Sequence, residues 1–178
     1  MPPTIWTVGH SNRSAEDFIA LLTPAGIELV ADVRRFAGSR RHPHFGSEQL
    51  PAALDRVGIA YRHFPELGGR RTERLPDSPN TAWRVESFNA YADHMQSPEF
   101  RGGLEALMEA AAASRTAIMC AEALPWRCHR RLIADALIAR GWRVVDIMGT
   151  NQEKDRSLTE FAKTTDDHQV IYPGETLF

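Results

Sequence analysis

Short apolar runs alternate along this chain with segments whose apolar residues recur at helical spacing. Ile5-Trp6-Thr7-Val8 is rich in β-branched and aromatic residues and stops at the turn-forming set Gly9-His10-Ser11-Asn12, which predicts a first strand. Ser14 then stands three residues before Asp17, a variant of the capping box, and Phe18, Leu21 and Leu22 follow at helical spacing until Gly26. Residues 27–33 resume as a strand, so strand, helix and strand together make a parallel crossover. Ser47 is placed to cap a short helix through Leu54 and Val57, which Gly58 ends, and residues 59–64 read as a third strand.

Residues 65–80 carry Gly68-Gly69 and three prolines among three arginines, the pattern of a long loop and a candidate lid. Two helices follow, one near Trp83 to His94 and one opened by Ser97-Pro98-Glu99 and extended by an alanine run. Residues 116–120 and 142–147 are apolar enough to be covered strands, with a helix from Arg130 to Arg140 between them. These elements predict a single α/β domain over residues 1–178, with a mainly parallel sheet of about five strands and helices on both faces. Residues 150–178 are expected to form an irregular extension, with a short helix around Leu158 to Lys163 and an extended Val170-Ile171-Tyr172.

Composition fits this picture: 178 residues, 43% hydrophobic and 25% charged, are ordinary for one globular domain and unlike a disordered chain. No stretch reaches the roughly 18 apolar residues of a membrane span, and Met1-Pro2-Pro3-Thr4 lacks a secretory signal, so a cytoplasmic protein with no membrane partner is expected. Two cysteines, Cys120 and Cys128, are too few for a disulfide framework and read as thiols. The formal charge of -2 argues against a generally basic coat, yet arginines crowd the first half and acids the last part. That asymmetry points to one anion-attracting region.

In open α/β sheets the loops leaving the carboxyl ends of strands gather along one edge, where ligands bind. Here those loops carry His10 and Ser11; Asp32, Arg34 and Arg35; Gly68 and Gly69; and Cys120, Glu122, Arg127, Cys128, His129 and Arg130. Cys128 precedes a helix, where unpaired amides and neighbouring cations favour a thiolate, while Cys120 reads equally as a core residue or a substrate contact. Arg127 and Arg130 beside the helix start suit phosphate, although the cysteine-to-arginine spacing does not match cysteine phosphatases. His10 is expected to line the site. Asp32 is either a general acid or base, with Glu122 a second carboxylate, or the salt-bridge partner of an arginine. Arg41 and Phe45 fall in a loop that mixes cations with a ring, and Trp126 either stacks on a planar ligand or supports its loop. Zinc held by Cys120, Cys128 and His129 would need another ligand such as His10; no metal or cofactor is assigned.

These same segments carry a resemblance. Thr7-Val8-Gly9-His10-Ser11, Asp32-Val33-Arg34, Phe45, residues 61–69, Cys120-Ala121-Glu122 and Cys128-His129-Arg130 resemble the bacterial and archaeal family catalogued as domain of unknown function 488, over most of the chain. The resemblance implies a compact α/β domain with a shared polar site and brings no reaction with it. From the residues, the leading expectation is an enzyme, a hydrolase or transferase acting on a phosphate-bearing substrate such as a nucleotide or nucleic acid. Arg34, Arg127 and Arg130 would hold the anion, His10 and Asp32 would manage protons, and Cys128 or Glu122 would be the nucleophile or a polar contact. The alternatives are a non-catalytic nucleic-acid-binding module and a cysteine-based redox or sensing protein; the partner is thus an anionic small molecule or nucleic acid, and the oligomeric state stays open.

Overall fold

The computed structural model describes residues 1–175 of the chain. Five parallel strands form the sheet: β1 (Thr4–Gly9), β2 (Leu29–Asp32), β3 (Ala60–His63), β4 (Thr116–Cys120) and β5 (Arg143–Gly149). A sixth, β6 (Gln152–Arg156), pairs antiparallel with β5, giving the order β3-β2-β4-β1-β5-β6. Residues from one face of each strand alternate with residues from the other, so the two faces build separate cores. Trp6, Val8, Val30, Met119 and Val145 pack under α1 (Ala15–Leu22) and α2 (Gln49–Asp55). Ile5, Ala31, Val33, Ile118, Cys120 and Val144 pack under α3 (Glu86–His94), α4 (Pro98–Ala113) and α5 (Arg130–Ala139). The expected α/β class with helices on both faces is borne out.

Local chemistry explains most of the boundaries. Ser14 caps α1 by accepting from the Asp17 amide at 3.1 Å, and Ser97 caps α4 through the Phe100 amide at 3.1 Å with Pro98 in the first turn. Ser47 does not cap α2, which begins at Gln49 without a side-chain cap. The helix expected from Trp83 starts only at Glu86, because the Asn89 side chain bonds both the Trp83 amide and carbonyl at 3.0 Å and holds that residue outside the helix.

The tail departs furthest from expectation. β6 reads Gln-Glu-Lys-Asp-Arg and is largely exposed, a polar edge strand with no apolar signature, so the sheet has six strands and residues 152–156 belong to it. No helix forms around residues 158–163; instead β7 (Lys163–Thr164) pairs with β8 (Val170–Ile171), and the buried Tyr172 donates to Asp135 at 2.7 Å. The loop over residues 65–80 is pinned, which does not fit a free lid. Asp93 on α3 accepts from Arg74 at 2.8 Å, from the Leu75 amide at 2.9 Å and from Asn80 at 2.9 Å. Among the described residues no helix is long and apolar enough to cross a membrane.

Candidate active site at the carboxyl edge of the sheet

The strand ends place the expected residues along one edge but on opposite faces of the sheet, in two hydrogen-bonded groups. On the α1/α2 face, Asp32 ends β2 fully buried and grips Arg34 twice, at 2.8 Å to Nε and 2.6 Å to Nη2. Tyr61 on β3 donates to the same carboxylate at 2.5 Å, and Arg34 Nη1 donates to the Phe45 carbonyl at 2.8 Å. The Phe45 ring stacks on His10 with centroids 4.3 Å apart. Burial drives the His10 pKa down to about 4, so the ring is neutral at pH 7; Nδ1 donates to the Ser11 carbonyl at 2.8 Å and Nε2 faces Arg34 Nη1 at 3.5 Å. Burial pushes the Arg34 pKa down, but pairing with Asp32 more than offsets this and holds it above its ordinary value. Asp32 thus makes the salt bridge that was one of the two roles open to it.

The second group lies on the α3–α5 face. Cys120 ends β4, Cys128 stands before α5, and their sulfurs are 2.7 Å apart, longer than a disulfide bond yet near enough to share a proton. Arg130, only 2% exposed, reaches back along the sheet: Nε donates to Cys120 Sγ at 2.9 Å, Nη1 to Thr7 Oγ1 at 3.1 Å and Nη2 to the Glu122 carbonyl at 2.6 Å. Thr7 donates onward to Asp146 at 2.6 Å, and Asp146 pairs with Arg156 at 2.5 Å. Among the described residues no carboxylate forms an ion pair with Arg130. A buried guanidinium needs a counter-charge, and the two sulfurs are the acidic groups in contact with it.

The two thiols accordingly diverge. Burial pushes Cys128 up, but the hydrogen bond from Cys120 and the charge and amide of Arg130 overcome it and bring its pKa to about 7. Burial and the bond to Cys128 push Cys120 well above the ordinary thiol range. His129 donates from Nε2 to the Val33 carbonyl at 2.7 Å, which leaves the Nδ1 lone pair facing Cys128 Sγ at 3.4 Å. Burial keeps this imidazole neutral. The arrangement is a proton acceptor beside a thiol, with a backbone carbonyl fixing the tautomer.

Close backbone approach builds the edge. At Gly9 a β-carbon would fall 1.9 Å from the Glu122 carbonyl oxygen, so only glycine lets the Cys120–Cys128 loop cross the end of β1. Ser11 and Arg70 hold φ of +50° and +57°, left-handed conformations that cost about 1–2 kcal/mol in a non-glycine residue. Gly68 and Gly69 serve packing against Arg35 and His129. Glu122 contributes its carbonyl, while its exposed carboxylate bonds the Leu124 amide at 3.2 Å. Arg35, Arg41 and Arg127 are exposed, and so is Trp126, which therefore does not act as a buried support. Among the described residues no three His, Cys, Asp or Glu side chains converge as a metal site requires.

Thr7, Tyr61 and Asp146 were missed in the sequence reading. Asp146 has a signal, a carboxylate inside the apolar run Val144-Val145-Asp146-Ile147; Thr7 and Tyr61 fall in segments that carry the family resemblance but otherwise read as ordinary strand residues.

The family model described as domain of unknown function DUF488 matches residues 14–137, which is 124 of the 178 residues. The chain belongs to this family. The DUF488 match spans Asp32, Arg34, both cysteines and Arg130, and leaves Thr7, His10 and Asp146 outside it. No curated protein and no solved structure matches the chain.

Proposed function

We infer that this DUF488 protein is a thiol enzyme in which the Cys128 thiolate is the nucleophile and Cys120 the second, resolving thiol. The observation that carries the reading is the 2.7 Å contact between two sulfurs of opposite acidity shift, set against a buried cation that has no carboxylate of its own. In the reaction this favours, Cys128 attacks one sulfur of a substrate disulfide, forming a mixed disulfide and releasing one thiolate. Cys120 passes its proton to His129 Nδ1 or to that thiolate, then attacks Cys128 Sγ and releases the second thiolate. The dithiol is oxidised by two electrons and the substrate disulfide is reduced to two thiols. Hydrolysis or group transfer on a phosphate-bearing substrate gains less support, because Arg34 and Arg130 already spend their guanidinium forks on internal partners.

Alkylation kinetics test the reading. The Cys128 rate should rise with pH around a midpoint near 7, against 9.0 for an ordinary thiol, and mild oxidation should remove the mass of two hydrogens in the native chain but not in Cys120→Ser. An ordinary midpoint with no intramolecular disulfide would sink it.

A further inference from the structure

We propose that the disulfide taken by this site is a small anionic one, with carboxylates flanking its sulfur pair, docked by Arg35 and Arg71 beside His129. The inference rests on the dithiol reading above. Cys128 is the less buried residue of the pair, 7% exposed against 2% for Cys120, and the loop after β3 lies against its neighbour His129. At Gly69 a β-carbon would come 2.8 Å from His129 Nδ1, the same nitrogen that stands 3.4 Å from Cys128 Sγ. At Gly68 a β-carbon would come 2.4 Å from the Arg35 Cα. These two glycines bring the backbone that leads into Arg70-Arg71 against Arg35 on one side and against His129, the neighbour of Cys128, on the other.

The crossing is cationic and unneutralised. Arg35 Nη1 donates to the Arg70 carbonyl at 3.1 Å; Arg71 donates from Nε to the Gly68 carbonyl at 3.0 Å and from Nη2 to the Pro65 carbonyl at 3.3 Å. All these partners are neutral, and among the described residues none of the three arginines forms an ion pair. Each guanidinium has five N–H donors, so most remain free for a ligand. Of the acids in the same loop, Glu66 is turned toward α4, its β-carbon 2.9 Å from where a β-carbon on Gly103 would stand, and neither Glu73 nor Asp77 forms an ion pair among the described residues. A cationic rim serves both halves of the chemistry. It raises the local concentration of an anionic disulfide, and it stabilises the thiolates that depart at each exchange step.

The test compares the rates at which Cys128 is modified by glutathione disulfide, by hydroxyethyl disulfide and by cystamine, which are anionic, neutral and cationic. Each rate is divided by that of the same reagent with a small free thiol. At low salt the anionic reagent should lead the cationic one by on the order of tenfold, and the ratio should shrink toward one as salt is raised. Arg35→Glu with Arg71→Glu should reverse the order. Equal normalised rates, a cationic preference in the native chain or a salt-independent ratio would overturn the docking assignment. If none of the three reagents reacts faster with Cys128 than with the free thiol, the dithiol reading itself fails.

Discussion

Two arginines of this protein sit at equivalent places, each behind a strand end on the same edge of one sheet, yet they live in different electrostatic worlds. Arg34 on the α1/α2 face has its counter-charge built in: Asp32 binds it through both oxygens, and Tyr61, Phe45 and His10 complete the enclosure. Arg130 on the α3–α5 face is more deeply buried, and among the described residues its guanidinium donates to sulfur, hydroxyl and carbonyl. The Asp32–Arg34 pair is satisfied internally, whereas the charge and amide of Arg130, together with the hydrogen bond from Cys120, favour the thiolate of Cys128 while burial holds Cys120 protonated. The same residue type therefore gives a structural clamp on one face and an activated thiol on the other.

The sharpest way to break this contrast is Asp32→Asn, which leaves Arg34 buried without its charge partner. Stability in urea should fall by about 3–5 kcal/mol while the Cys128 alkylation midpoint stays near 7. A parallel loss of thiol reactivity would mean the two faces are one site. Arg130→Met should do the reverse. With the cation gone, the hydrogen bond from Cys120 and the backbone amide of residue 130 still favour the thiolate, so the Cys128 midpoint should rise only part of the way from about 7 toward 9.0, and alkylation at pH 7 should slow by about five- to tenfold.

The pH dependence of stability refines the first face. The unfolded chain protonates His10 at its ordinary 6.5, but the folded chain does so only at about 4, so protons favour unfolding as pH falls through that window. Stability should decline by about 2–3 kcal/mol between pH 6.5 and 4 on this account, allowing for the ring's partial solvation, and His10→Asn should flatten that part of the slope in urea titrations. Smallest of all, Arg127→Ala removes an exposed side chain that bonds nothing among the described residues, and the unfolding midpoint should shift by no more than about 0.5 kcal/mol. A larger effect would bring Arg127 into the site.

Much of this was readable in the chain. Apolar runs marked the parallel strands because β1, β2, β4 and β5 are largely buried, while the half-exposed edge strand β3 was legible from Ile59 to Phe64 around it, and the Ser14 and Ser97 caps located two helix starts. β6 escaped because an exposed edge strand needs no apolar residue, and the helix expected around 158–163 failed because its apolar positions serve local packing: the Phe161 ring meets Trp83, with centroids 4.8 Å apart. In the site, nearly every residue singled out does stand at the carboxyl edge. Their division into two groups was hidden, since it depends on strand parity relative to the covering helices: Asp32 shares a face with Val30, and Cys120 with Ile118.

The sequence by itself determined the alternation of strands and helices and the gathering of reactive side chains where the strands end, because periodicity and turn residues are local properties of the chain. Only the tertiary structure decided which arginine meets a carboxylate and which meets a thiol. The partners lie close in the chain, Asp32 two residues from Arg34 and Cys120 ten from Arg130, but which of them meet depends on how the strand ends and loops turn into a buried interior, where the distance between two charges, and not their presence, sets what each can do.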